Sequence, residues 1–129
     1  MQKEKVATAQ PEDIRKRTFR FAVTIVKLSG ELGNDRAANV IAKQIIRSGT
    51  SIGANAQEAV AAHSKQDFIY KTNIALREAR ETLYWLKLIQ ELSILKPSTI
   101  QTVLQEAEEI TKILGAIVST ARGVRKTTS

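Results

Sequence analysis

Arg47 to Leu86 reads RSGTSIGANAQEAVAAHSKQDFIYKTNIALREARETLYWL, and the fold follows from this stretch. Its first part is crowded with small residues: Gly49 and Gly53 lie one helical turn apart, with Ser48, Ala54, Ala56 and Ala59 around them. A glycine inside a helix is worse than alanine by up to about 1 kcal/mol, so two of them call for a compensating contact. Close approach of a neighbouring helix backbone is the usual one. A phosphate-cradling loop is the sharper alternative, but no Gly-Lys-Ser/Thr follows and no strand precedes, so that reading is rejected. After His63, Ser64 with Asp67 forms a capping box with a shortened acid, followed by apolar Phe68 and Ile69. One short turn therefore joins two long helices into a hairpin.

Outward from this hairpin the same period continues. The second helix spans about 35–62, with Val40, Ile41, Ile45, Ile52, Ala56, Ala59 and Val60 as inward candidates. The third spans about 64–92 through Phe68, Ala75, Ala79, Leu83, Leu86 and Ile89. Upstream, a helix over about 12–32 begins after Pro11, with Glu12 and Asp13 near the positive end of its dipole. Ile14, Phe21, Ile25, Leu28 and Leu32 draw its apolar stripe, and Gly33-Asn34 breaks it. Downstream, a helix over about 98–122 opens at Ser98 or Thr99. It carries Ile100, Val103, Leu104, Ala107, Ile110, Leu114, Ile117, Val118 and Ala121, and Gly123 closes it. No segment reads as a strand. The expectation is an all-α, antiparallel up-down-up-down four-helix bundle, one domain over 1–129 with frayed termini.

Composition narrows the function. Hydrophobic content is 43% and charged content 26%, ordinary for a globular chain, while aromatics are only 5%, which suits helix-on-helix packing. Without cysteine there are neither disulfides nor thiolate metal sites. No apolar run approaches the roughly 20 residues needed to cross a membrane, and Met1 to Lys5 lacks the hydrophobic block of a signal peptide. A soluble cytoplasmic protein is the expectation. Net charge is +7, from 20 Lys+Arg against 13 Asp+Glu. Between Ile14 and Lys27 lie Arg15, Lys16, Arg17, Arg20 and Lys27 with no acid, and the tail adds Arg122, Arg125 and Lys126. Basic clusters of this kind attract phosphate backbones or anionic surfaces; they also serve plainly as a solubilising surface.

The remaining polar groups argue against chemistry. His63 is the only histidine and stands at a turn. Glu78 and Glu81 share one helix, but no histidine accompanies them as a di-metal bundle site would require, and Arg77 and Arg80 stand beside them. Counting back from the turn at His63 sets Arg47 opposite Glu78 or Glu81 and Glu58 near the start of the third helix. Arg47, Asn55, Glu58, Glu78 and Glu81 are thus the candidate structural polar network, and Gly49 and Gly53 the positions of close helix packing. Tyr84 and Trp85 are adjacent, so they point to different sectors of the helix, and one of them is expected in the core or an interface. No cofactor and no metal site is expected.

The chain resembles the ribosomal-RNA intervening-sequence protein family, also called four-helix bundle proteins. The likeness runs from about Thr18 to Ala121 and is densest from Arg47 to Leu92. It rests on Arg47-Ser48-Gly49-Thr50-Ser51-Ile52-Gly53-Ala54-Asn55, Glu58-Ala59, Ser64-Lys65-Gln66-Asp67-Phe68-Ile69, Ala75-Leu76-Arg77-Glu78-Ala79 and Glu81-Thr82-Leu83-Tyr84-Trp85-Leu86. The resemblance implies a small bundle that assembles into a homopentameric ring. It also implies kinship with the accessory protein of diversity-generating retroelements, a basic pentamer that contacts nucleic acid and a reverse transcriptase. After Asn55 many members carry a larger apolar or aromatic residue and then a basic one, where this chain has Ala56 and Gln57. Two functions follow as expectations. The first is a non-enzymatic oligomer binding structured RNA or DNA through Arg15, Lys16, Arg17, Arg20, Lys27, Arg122, Arg125 and Lys126. The alternative is an oligomeric scaffold for a protein partner.

Overall fold

The computed structural model describes residues 13–123, and four helices account for most of them. They are α1 (Ile14–Ser29), α2 (Arg36–Val60), α3 (Lys65–Leu92) and α4 (Pro97–Arg122). No strand occurs among the described residues. Each helix packs against the next in sequence, α1 on α2, α2 on α3 and α3 on α4, and α1 closes on α4 only lightly. The helices alternate up, down, up and down, and α1 and α3 sit on a diagonal.

Local chemistry sets the ends. The Asp13 carboxylate accepts from the Arg15 N–H at 2.8 Å, making Asp13 the N-cap of α1 rather than part of its first turn. The C-terminal end comes at Gly30, short of the expected 32, although Leu32 still folds into the core. Gly33, at φ 104°, then reverses the chain, and Asp35 caps α2 by accepting from the Ala38 N–H at 2.8 Å. Ser64 caps α3 by accepting from the Asp67 N–H at 3.0 Å. Helix α4 starts at Pro97, before either expected opener: proline at the first helical position gives up an N–H that has no partner there anyway, and Lys96 supplies no side-chain cap. Gly123, at φ 76°, ends it in the left-handed region.

The core is mostly aliphatic, with Phe21 buried in it. Ile25, Ile45, Ile52, Leu86, Ile89, Ile100, Ile110 and Leu114 are its largest fully buried members. Two inward candidates on α2 fall outside it: Val40 is 54% and Val60 47% exposed. Both sit beside true core positions (Ile41, Ala59), and the one-residue step, about 100° round the helix, turns them to solvent.

Candidate nucleic-acid interface

On α1 the cationic residues divide by partner. Arg15 forks onto Asp13 of its own cap, with Nη2–Oδ2 at 2.8 Å and Nε–Oδ1 at 3.2 Å. That fork and the Arg15 backbone N–H hold the Asp13 carboxyl at a pKa of about 2, below its usual value, and the pairing raises Arg15 in turn. Arg17 crosses to α4 and donates twice to Glu106, Nε–Oε2 at 2.7 Å and Nη2–Oε1 at 2.9 Å. Lys16, Arg20 and Lys27 are exposed, and the two lysines make no ion pair among the described residues. Arg122 is exposed at the last turn of α4, at the end of the bundle where α1 begins. Arg125 and Lys126 lie outside the described residues.

The cations border a groove that sequence reasoning missed. Phe19, Ala22, Val23 and Val26 of α1 face Thr50, Gly53 and Ala54 of α2 across an apolar trough of about 580 Å³. Phe19 is 63% exposed at its rim. The trough shares Phe19 and Gln57 with a second groove lined by Arg15, Lys16, Arg20 and the Asp13 that Arg15 holds, so apolar and predominantly basic surfaces run together. The signal was present in the sequence as a second stripe, Phe19, Val23 and Val26, beside the Phe21–Ile25–Leu28 stripe that enters the core. The Arg17–Glu106 pair had no such signal, since its partners lie 89 residues apart.

The α2–α3 seam carries the polar cluster. Arg47 donates to Glu78 at 3.4 Å and to Glu81, and Glu81 also accepts from the Trp85 indole N–H at 3.0 Å. Beneath this the Ser48 and Thr82 hydroxyls, both fully buried, lie 2.8 Å apart and share a hydrogen bond. The five candidate network residues do not form one network. Asn55 turns back to its own helix, donating to the Ser51 carbonyl at 2.9 Å, and Glu58 stands apart with Lys71 at 3.8 Å. Their distance from Arg47 along α2, two or more turns, keeps them out of the cluster. Gly49 and Gly53 face α1: a Cβ on Gly49 would sit 2.8 Å from Ile25 Cγ2, and one on Gly53 would sit 3.3 Å from the Thr18 carbonyl oxygen. Trp85 packs against the core while Tyr84 is exposed. His63 is exposed in the α2–α3 turn.

Among the described residues no three His, Cys, Asp or Glu side chains gather as a metal site, and no helix is long and apolar enough to cross a membrane. What fold and surface define together is a four-helix bundle without a catalytic constellation among its described residues. The chain belongs to the 23S rRNA-intervening sequence protein family, whose profile matches residues 11–116. It is similar to a protein of unknown function from the S23 ribosomal protein family of Bacteroides thetaiotaomicron VPI-5482, known from a crystal structure. The two are 44% identical with a TM-score of 0.76, over 81% of this chain and 97% of that one. No curated protein matches the chain.

Proposed function

We propose that this protein is a non-enzymatic, self-associating bundle of the cytoplasm that binds structured RNA or DNA through phosphate contacts. The observation that carries the reading is the meeting of a cationic ridge with an apolar groove on one outer face, in a chain of net charge +7. Lys16 and Lys27 are the leading phosphate contacts on α1. Arg15, Arg17 and Arg20 add to the field while engaged with other groups, Arg122 adds to it from the last turn of α4, and Arg125 and Lys126 extend it. Nothing there reads base edges, so recognition is of charge and shape. The family resemblance points the same way, through the homopentamer and the kinship with the accessory protein of diversity-generating retroelements that it implies.

Titration of the purified protein, with its mass in solution measured, against labelled structured RNA and duplex DNA at several salt concentrations tests the reading. Binding should fall steeply with salt. Exchanging Lys16, Arg20 and Lys27 for glutamine should flatten the slope of log K against log salt by about 0.9 for each duplex phosphate that is no longer neutralised. Absence of binding at low salt overturns the reading. The second reading, a scaffold for a protein partner, is favoured by the apolar lining of the groove, which phosphate binding alone does not use.

A further inference from the structure

The outward face of α3 carries an arrangement that neither the fold nor the α1 ridge requires. Tyr70 and Tyr84 are 61% and 60% exposed, although a tyrosine ring left in water gives up most of its burial energy. They stand fourteen residues apart, close to four whole turns, so they lie along one line about 21 Å long. Arg77 sits midway on that line, Arg80 one turn before Tyr84 and Lys87 one turn after it, all exposed. None of these three cations makes an ion pair among the described residues. The acids of the same stretch, Glu78 and Glu81, are turned toward α2 and held by Arg47. Glu91 lies beyond Lys87 at the end of the helix, and exposed Glu108 and Glu109 belong to α4. Tyr84 is also ordered: its ring meets Trp85 edge to face at 5.1 Å and 78°, and Trp85 is fixed through its indole N–H to Glu81.

Two ring faces flanking unpaired cations on one rigid helix match one kind of ligand. Unstacked bases supply flat faces for the tyrosines, and the chain linking them supplies phosphates for the arginines and lysine. A duplex offers the phosphates but hides its base faces in the stack. An acidic protein segment would use the cations and leave the ring faces idle. We propose that the outer face of α3 seats single-stranded nucleic acid, with bases stacked on Tyr70 and Tyr84 and phosphates held by Arg77, Arg80 and Lys87. The seat lies diagonally across the bundle from the α1 ridge, so it adds a second contact surface. It shares the nucleic-acid reading given above only in the class of ligand.

The full chain tests this with labelled oligouridylate, oligothymidylate and a blunt duplex, followed by anisotropy and by the emission of Trp85, the only tryptophan. Single strands should bind and change the Trp85 emission. Replacing Tyr70 and Tyr84 by alanine should weaken single-strand binding by about fivefold or more per ring, with phenylalanine at either position restoring it and duplex affinity unmoved. Because both rings are exposed, helicity should be unchanged by circular dichroism. Oligouridylate and oligothymidylate binding alike means that stacking, not the 2′-hydroxyl, governs the seat. Single-strand binding that ignores the tyrosines but falls on exchanging Lys16 and Lys27 for glutamine overturns the α3 seat and leaves the α1 reading standing. Binding that falls with Arg77→Gln and Arg80→Gln but ignores both tyrosines also overturns it, as a counterion effect. No binding of any nucleic acid overturns both.

Discussion

Helix α2 meets its two neighbours by opposite means. Toward α1 it presents absence: at Gly49 and Gly53 the missing side chains let Ile25 and the Thr18 backbone come in close. Toward α3 it presents partners: the buried Ser48–Thr82 hydroxyl pair and, at the rim, Arg47 between Glu78 and Glu81. A seam made by shape fails when volume is added, because a close-packed interior transmits strain. A seam made by hydrogen bonds fails when one partner is deleted and the other is left dry. The two seams should therefore answer to different substitutions.

The largest effect lies at Ile25. Its truncation to alanine should destabilise the protein by about 2–5 kcal/mol in denaturant unfolding. Gly49→Ala should also destabilise, by about 1–2 kcal/mol, since overpacking of roughly 1–3 kcal/mol outweighs a helix-propensity gain of up to about 1 kcal/mol. The clash is with Ile25 Cγ2, next to a stiff branch point and not at a flexible tip. The combination sharpens the comparison. In the Ile25→Ala background the added methyl enters the space just vacated, so the pair should be less destabilised than the sum of the singles. Strict additivity would mean that the α1–α2 seam is not held by shape at this point.

The α2–α3 seam should respond more mildly. Thr82→Val keeps the volume and removes the hydroxyl, leaving Ser48 with only the Ile45 carbonyl at 3.5 Å. A loss of about 1–2 kcal/mol is expected, and Ser48→Ala added to it should recover part of that, because a buried polar group without a partner is worse than none. Arg47→Gln sets the lower bound. The Arg47 side chain is 48% exposed, so its ion pairs contribute at most about 1 kcal/mol and fade with salt. If Arg47→Gln proved worse than Thr82→Val, the rim and not the buried pair would govern this seam.

How much of this could be read in advance depends on how local each contact is. The stripe from Ile100 to Val118 is legible because helical period alone decides which residues face inward. The turn at Ser64 is legible because a cap is a contact over three residues. The two valines at 40 and 60 are not, since one residue of rotation separates core from solvent and hydrophobicity is blind to it. Nor is the division of the α1 cations. A run of arginines announces charge, but Arg17 finds Glu106 only once the bundle closes. The face of α3 is an intermediate case: Tyr70, Arg77 and Tyr84 are spaced in full view at sevens, yet only burial of the opposite side shows that this line faces out.

The smallest expected effect concerns what the shape-made seam presupposes. Shape can hold α1 only where α1 is already helical, and with 16 residues it is the shortest of the four. Its first turn depends on Asp13, whose carboxyl is lowered from 3.8 to about 2 by the Arg15 side-chain fork first and the Arg15 N–H second. A carboxylate with a depressed pKa in the folded state stabilises that state above its unfolded value. The contribution is therefore complete above about pH 4 and disappears as pH falls through about 2. A carboxyl NMR titration should give Asp13 a midpoint near 2, and Asp13→Asn, which keeps the capping oxygen but not the charge, should remove that pH dependence while preserving the helix. Loss of the α1 amide signals in the same window, with those of α2, α3 and α4 unmoved, would locate the weak link at the cap. A midpoint at the ordinary carboxylate value would instead mean that the Arg15 fork does not hold in solution, leaving the capping oxygen and the fit against Gly49 and Gly53 to keep α1 in place.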